Sequence, residues 1–384
     1  MATPALTFTA PFLEKEIVKE VTVDDYTDPK IASILDAYGF VIIKNILSAD
    51  EQKEAEALLY DDLLQCVDQT KLIGSQGKQL GRIFQQVSSG EEHFPKASLP
   101  GLASKGFLSL YGFPQSKFPW KMRMNPKVKT IYSNLHQVGP DDLCVSTDVS
   151  FFTPERKQHE DCNIWCHADQ NIYLKVGSEK SYQGILYVWD STTPDTSNTV
   201  LVPKSNNNEY YELLKAIPEN LHDGHSLYIS TIPDVVIREQ FLKMWREKSR
   251  RIPVPAGGLL IFNSKSIHQG YQSGFRLAQA LCWEPKANRS EKALRSKLEA
   301  CNMGIATTHW ASLGTHHGVS FIKPRDPVYN SYHHKCIFPM QPVKTEVLIN
   351  QITNPMARET QSFIKKQTNE SLAANIKPEY LRCL

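Results

Sequence analysis

The sequence predicts a mainly-β core of the sandwich or barrel kind, flanked by helices on both sides. Three observations lead there. From about Asp142 to Trp283, short apolar runs rich in β-branched residues recur between turn-forming segments such as Thr193-Pro194-Asp195 and Pro255-Ala256-Gly257-Gly258. Outside that stretch, apolar residues recur at helical spacing instead. The 384 residues are 41% hydrophobic and 22% charged, a globular composition long enough to bury a sizeable core.

Taken in order, residues 1–30 alternate weakly and carry acids, which reads as a lead-in lying on the surface. Tyr38–Ile43 reads as a strand. Ser48-Ala49-Asp50-Glu51 is a capping box, and Ala55, Leu58, Leu59, Leu63, Cys66 and Val67 follow on one helical face. Residues 73–119 are rich in Gly, Ser and Pro and have no clear element. Strands are expected at Leu143–Asp148, Ile164–Asp169, Gly184–Asp190, Val200–Pro203, Leu259–Phe262 and Arg276–Trp283. Helices are expected at Glu209–Ile217, at Val235–Trp245, from Glu291 onward, and around 357–374. No linker divides the chain. The expectation is one domain, 1–384, with an N-terminal helical elaboration over 30–140, a β core over 142–284 carrying a helical insertion over 205–250, and C-terminal helices and loops over 285–384.

Composition also excludes classes of function. Lys+Arg is 43 against Asp+Glu 41, a net charge of +2, which argues against a protein built to coat nucleic acid or an anionic membrane. Eight cysteines are too few for a disulfide scaffold. No apolar run reaches the ~18 residues of a membrane span. Met1–Phe8 lacks the basic and apolar regions of a secretory signal, and Leu381-Arg382-Cys383-Leu384 is not the Ser-Lys-Leu peroxisomal signal. A soluble, cytoplasmic protein of a reducing compartment is expected, with the oligomeric state left open.

The sharpest local feature is Trp165-Cys166-His167-Ala168-Asp169-Gln170. On a strand, residues two apart share a face, so His167 and Asp169 present an imidazole and a carboxylate side by side. That is two-thirds of the 2-His-1-carboxylate triad of non-haem Fe(II) oxygenases. On its own the pair is equally the mark of a half-buried histidine bonded to an aspartate. The best second histidine is His268. It follows the apolar run Gly257–Phe262 and precedes a glycine-containing turn that returns the chain to Arg276. Arg276 shares a strand face with Ala278 and Ala280, which leave room for a small acid, and its guanidinium offers a fork to a carboxylate.

These motifs, in this order, resemble the phytanoyl-CoA dioxygenase-like family of Fe(II)/2-oxoglutarate oxygenases. Tyr38–Ser48 looks like the family's opening strand and helix start, His167–Gln170 like its first metal motif, and Gln183–Tyr187 like the next core strand. Val200–Ser205 stands in place of Val-Pro-Gly-Ser-His, with Lys204 at the usual Gly and Asn206 where the His often sits. Gly258–His268 and Arg276 look like the distal histidine strand and the 2-oxoglutarate arginine. The likeness runs over about residues 30–310. It implies an α+β chain whose mainly-β core is a double-stranded β-helix, the cupin-like jelly roll. It implies His167, Asp169 and His268 as ligands of Fe(II), Arg276 as the anchor of 2-oxoglutarate, and O2 as the oxidant. Gln183 and Tyr187, with Trp165 and Trp189, are candidates for the pocket around the co-substrate. The implied activity is a dioxygenase that oxidises an aliphatic C–H of a small organic substrate and releases succinate and CO2. The rival readings are a jelly-roll binding module without turnover and an oxygenase acting on protein or nucleic acid.

Other clusters have weaker claims. Cys162, Cys166 and His167 invite a zinc site, with Cys144 or His159 as fourth ligand, but lack a second matching pair. His222, His225, His316 and His317 fall in loop-like sequence. Lys243, Arg246, Lys248, Arg250 and Arg251 read as the wet face of a helix and its exit, or as a docking patch for an anionic substrate. Thr307-Thr308-His309-Trp310 also resembles a stretch of related chains.

Overall fold

A computed structural model describes residues 7–68, 103–104, 106–108, 113–153, 162–170, 180–207, 210, 227–228, 232–270, 274–303, 306–313, 368–374 and 376–384. The chain forms two compact units, Met1–Ser48 with Arg156–Ala278, and Ala49–Glu155 with Gln279–Leu384. The expected helix Glu209–Ile217 apart from Tyr210, the four loop histidines and His159 lie outside the described residues, as does most of 357–374.

Besides the short pair Thr7–Phe8 with Cys162–Asn163, the first unit holds two larger sheets. One runs in the order Thr22–Val23, Phe40–Ile43, Leu259–Asn263, Tyr182–Tyr187, Arg276–Leu281. The other runs Leu227–Tyr228, His167–Ala168, His268–Gly270, Thr199–Leu201, Arg250–Arg251. Leu259–Asn263 pairs antiparallel with Phe40–Ile43 and Tyr182–Tyr187, the second sheet is antiparallel at its pairings, and Thr22–Val23 lies parallel to Phe40–Ile43. From His167 onward the chain passes repeatedly between the two sheets, which is the winding of a jelly roll. Phe40–Ile43 and Leu259–Phe262 are buried at every residue, so they read as continuous apolar runs. Helix Lys30–Tyr38 packs on Phe40–Ile43.

Several boundaries move. Tyr38 ends a helix rather than opening a strand, because Gly39 takes a left-handed φ of 83° and caps it with an N–H bond to Leu35 O of 2.9 Å. The lead-in is not merely superficial: Val21 and Val23 are buried, and Thr22–Val23 joins the sheet. Its period-two signal was faint because the strand is two residues long. Ile164–Asp169 narrows to His167–Ala168. Arg276–Trp283 breaks at Cys282 into Arg276–Leu281 and Trp283–Pro285. Helix Val235–Lys248 extends the expected Val235–Trp245, with Asp234 capping Val236 and Ile237 N–H groups.

Two backbone positions explain residue choices near the site. Lys204 keeps a left-handed φ of 64°; its N–H bonds Tyr38 O at 2.7 Å and its ammonium lies 5.0 Å from the Tyr38 ring centre. Gly274, with φ 97°, lies so close to the main chain of Asp195 that an added Cβ would sit 2.6 Å from its carbonyl oxygen. That approach lets Phe275 exchange main-chain bonds with Asp195 and Ser197, which fixes the entry to Arg276.

The second unit carries helices Ala49–Asp68, Lys117–Arg123, Pro126–His136 and Glu291–Met303, and pairs Leu143–Val145 with Trp283–Pro285. The segment 306–312 is locked into this unit. Thr307 N–H donates to Thr147 O and its hydroxyl accepts from Thr147 N–H, at 3.1 and 2.9 Å. One peptide group, Ala311–Ser312, lies between two fully buried charged side chains. Lys297 Nζ donates to its carbonyl at 3.0 Å, and its N–H donates to Glu284 Oε2 at 2.6 Å. Burial pulls the Lys297 pKa below its ordinary value. The peptide dipole thus joins a cation to an anion where neither has water. Lys297→Met is expected to destabilise the protein by about 3–5 kcal/mol, because the Glu284 charge loses its balance. Adding Glu284→Gln should recover part of that loss in denaturant unfolding.

Candidate metal centre

Alternation along 164–169 builds the site. Ile164, Cys166 and Ala168 belong to an apolar cluster with Val200, Val202 and Trp245, while Trp165, His167 and Asp169 take the opposite face. The register of the sheet then sets His268 directly across from His167, with ring centres 4.5 Å apart. Leu201 flanks His268 on the other side. His167, Asp169 and His268 are buried, and each offers a ligand atom within 4.8 Å of the others. Asp169 Oδ1 is 3.4 Å from His167 Nε2, and its Oδ2 is 3.2 Å from His268 Nε2.

The hydrogen bonds on the far side of each ring fix the chemistry. His167 Nδ1 faces Trp165 O at 3.3 Å, and His268 Nδ1 faces Ser266 O at 3.0 Å. A carbonyl only accepts, so Nδ1 carries the proton in both rings. In the neutral rings, both Nε2 lone pairs therefore point at a carboxylate that also only accepts. Three acceptors meeting in a buried place are satisfied by a proton on one ring or by a metal ion between them, and the three side chains are placed to hold such an ion. Backbone carbonyls behind metal-binding histidines are the usual means of setting the ring tautomer.

Around this centre, Trp165 stacks on His167 at 5.1 Å and 19°, and the Phe262 ring tilts against His268 at 4.7 Å. Trp165 is held by its N–H bond to Gln269 Oε1 at 3.0 Å. Gln183, Ile185 and Tyr187 alternate on one face of their strand. Gln183 Nε2 donates to Asp169 Oδ2 at 2.5 Å. Four residues along, ~13 Å at the strand rise, Tyr187 receives Arg276 Nη2 at 3.0 Å and Thr199 N–H at 3.2 Å. With both lone pairs engaged, its own proton is directed to Thr199 Oγ1, 3.2 Å away. Arg276 is buried, and burial pulls its pKa below the ordinary guanidinium value; the adjoining Tyr187 hydroxyl opposes that shift.

The structure thus brings all six expected site residues into two linked groups, His167, Asp169, His268 and Gln183 in one, and Tyr187 and Arg276 in the other. Trp189 stacks instead on Phe275, 3.9 Å away. Thr199 and Phe262 were not foreseen. Phe262 lies opposite Gln183 in the sheet, a relation that needs the register and not the sequence alone. The zinc alternative loses two of its thiols, Cys166 and Cys144. Cys166 sits in the apolar cluster, where burial pushes its pKa up, and Cys144 packs with Cys282 and Ala311. Of the basic run, Arg250 pairs with Glu14 at 2.8 Å. Arg251 is buried, bonded to Asn198 and Thr196 and stacked 4.0 Å over Phe12. Arg251 is therefore a core residue rather than part of a wet face, because its strand turns inward from the helix.

No protein-family model matches the chain. A curated relative, Ava biosynthesis cluster protein O of Aspergillus versicolor, is 23% identical over 248 residues, covering 59% of this chain and 72% of that protein. Among solved structures, EctD from S. alaskensis with 2-oxoglutarate and 5-hydroxyectoine is 14% identical with a TM-score of 0.39, covering 75% of this chain and 86% of that one. HygX from Streptomyces hygroscopicus with nickel and 2-oxoglutarate bound is 11% identical with a TM-score of 0.38, covering 67% and 87%. No helix among the described residues is long and apolar enough to cross a membrane.

A divalent metal held by these three side chains would bind the folded state alone and raise its stability. At a metal concentration a hundred times Kd the gain is about 2.7 kcal/mol. Thermal unfolding of chelator-treated protein, with and without Ni(II), should show that rise. His268→Ala should lose it while keeping its metal-free Tm within a few degrees. An equal gain in His268→Ala would place the metal elsewhere.

Proposed function

We propose that this chain is an Fe(II)- and 2-oxoglutarate-dependent oxygenase of the phytanoyl-CoA dioxygenase-like kind, oxidising an aliphatic C–H bond of a small organic molecule. The observation that carries the reading is the convergence of two Nε2 lone pairs and a carboxylate, with both histidine tautomers set from behind by carbonyls. Two imidazoles and one carboxylate are the donor set of non-haem Fe(II) sites that keep positions open for other ligands. The residues fit the metal: the donors are buried, the tautomers are right, and the net charge of the donor set is −1. When bound, iron with 2-oxoglutarate and O2 supplies the oxidising power, and the co-substrate leaves as succinate and CO2.

The chain's own residues position and shield the reactants. His167, Asp169 and His268 would hold the iron. Arg276 would take the far carboxylate of 2-oxoglutarate with its planar fork. Tyr187 keeps that fork in one orientation, since its hydroxyl is pinned by Thr199 and cannot turn away. Trp165 and Phe262 wall the two imidazoles with apolar rings, which keeps water from them. The relative named for a biosynthesis cluster supports a small-molecule substrate. Arg251 is withdrawn from the basic run into buried bonds to Asn198 and Thr196, while Lys243, Arg246 and Lys248 stay at the surface.

Succinate release from 2-oxoglutarate, dependent on Fe(II), tests the reading. It separates an enzyme from a binding module of the same fold. Arg276→Ala should weaken 2-oxoglutarate by ~3–5 kcal/mol, seen as a raised KM, with metal affinity little changed. Arg276→Lys should recover little of it. Tyr187→Phe should raise the same KM by about tenfold, the worth of one hydrogen bond to a charged group. Unchanged KM values in all three variants would show that the diacid is held elsewhere.

A further inference from the structure

Gln183 was expected to face the co-substrate, yet its amide is spent on a metal-site residue. The donor–acceptor distance to Asp169 Oδ2, 2.5 Å, is short for N–H···O. An ionised carboxylate only accepts, so the amide nitrogen, not its oxygen, must face it. Gln183 is buried and stands on a rigid strand, paired across the sheet with Phe262, the residue whose ring leans on His268. Asp169, by contrast, sits just beyond the two-residue strand His167–Ala168, where the ladder no longer fixes its backbone. Its main-chain N–H donates to Ser264 O at 3.1 Å.

We infer that Gln183 is the positioning residue of the carboxylate ligand. It occupies a lone pair of Oδ2 and holds the carboxylate plane, so that Asp169 is presented to the metal in one orientation. The histidines need no such partner from another strand, since each is aligned by a carbonyl two residues earlier in its own chain segment. Asp169 draws its alignment from the neighbouring sheet, and that link joins the two sheets of the first unit at the site. This inference rests on the metal reading above. Outer partners that orient a ligand are worth 10–100-fold in metal affinity.

The test is Ni(II) titration of the full chain by calorimetry, carried to millimolar metal, in a double-mutant cycle. Gln183→Met fills the same space without the donor. It should weaken Ni(II) binding 10–100-fold in the wild-type background and change it less than twofold in Asp169→Ala, where the two histidines still bind Ni(II). If Gln183→Met fails to fold, Gln183→Asn, which withdraws the amide by one methylene, takes its place with the same expectation. A wild-type Kd in the variant, or an equal loss in both backgrounds, would overturn the inference, the second by showing that Gln183 acts through packing. Failure of the unmutated protein to bind Ni(II) would sink the metal reading itself and is distinct from either result.

Discussion

Everything at this site follows from one electrostatic constraint. Two imidazoles and a carboxylate are aimed at a common point out of water, and such a meeting of acceptors is repulsive until a proton or a metal ion joins it. The fold holds them there by means that do not depend on the cation. A cross-strand pairing sets the two rings opposite each other. Carbonyls behind the rings set their protons. An amide from the other sheet sets the carboxylate. The stability for this arrangement comes from elsewhere, from the fully buried strands Phe40–Ile43 and Leu259–Phe262 and from the cluster under Cys166.

A single strand, Tyr182–Tyr187, coordinates the two ends of the site. Its inward face offers an amide to Asp169 at one end and a phenol to Arg276 at the other, with Ile185 between. Because the spacing is built into a strand and not a loop, it is held to the precision that positioning in catalysis needs.

The triad was legible because its parts obey local rules. The i, i+2 spacing of His167 and Asp169 is a strand rule, and the apolar run before His268 marks a buried strand. The turn and small neighbours of Arg276 fitted a surface strand residue equally well; the family resemblance, not its own pattern, singled it out. The role of Gln183 was not legible, since a glutamine on a core strand is ordinary until the register shows what lies across from it. Short strands were the main source of error. Thr22–Val23 and His167–Ala168 are too brief to show a period, and their boundaries come from partners far away in the chain. Helix Pro126–His136 escaped notice although Asn125 and Pro126 are a cap and a first-turn proline. The surrounding Gly- and Pro-rich sequence hid its apolar face. The hold on Thr307 by Thr147, and on the Ala311–Ser312 peptide just beyond the motif by Lys297 and Glu284, comes from residues far away in the chain.

The central claim is that three protein ligands hold one iron and leave room for a chelating co-substrate. Anaerobic titration of the protein with Fe(II) in the presence of 2-oxoglutarate tests it most directly, read by the visible metal-to-ligand charge-transfer absorption of the chelate. The account predicts a band that saturates at one iron per chain, requires 2-oxoglutarate, and is lost in His167→Ala and His268→Ala. No band in the unmutated protein, or one that persists in those variants, would contradict it.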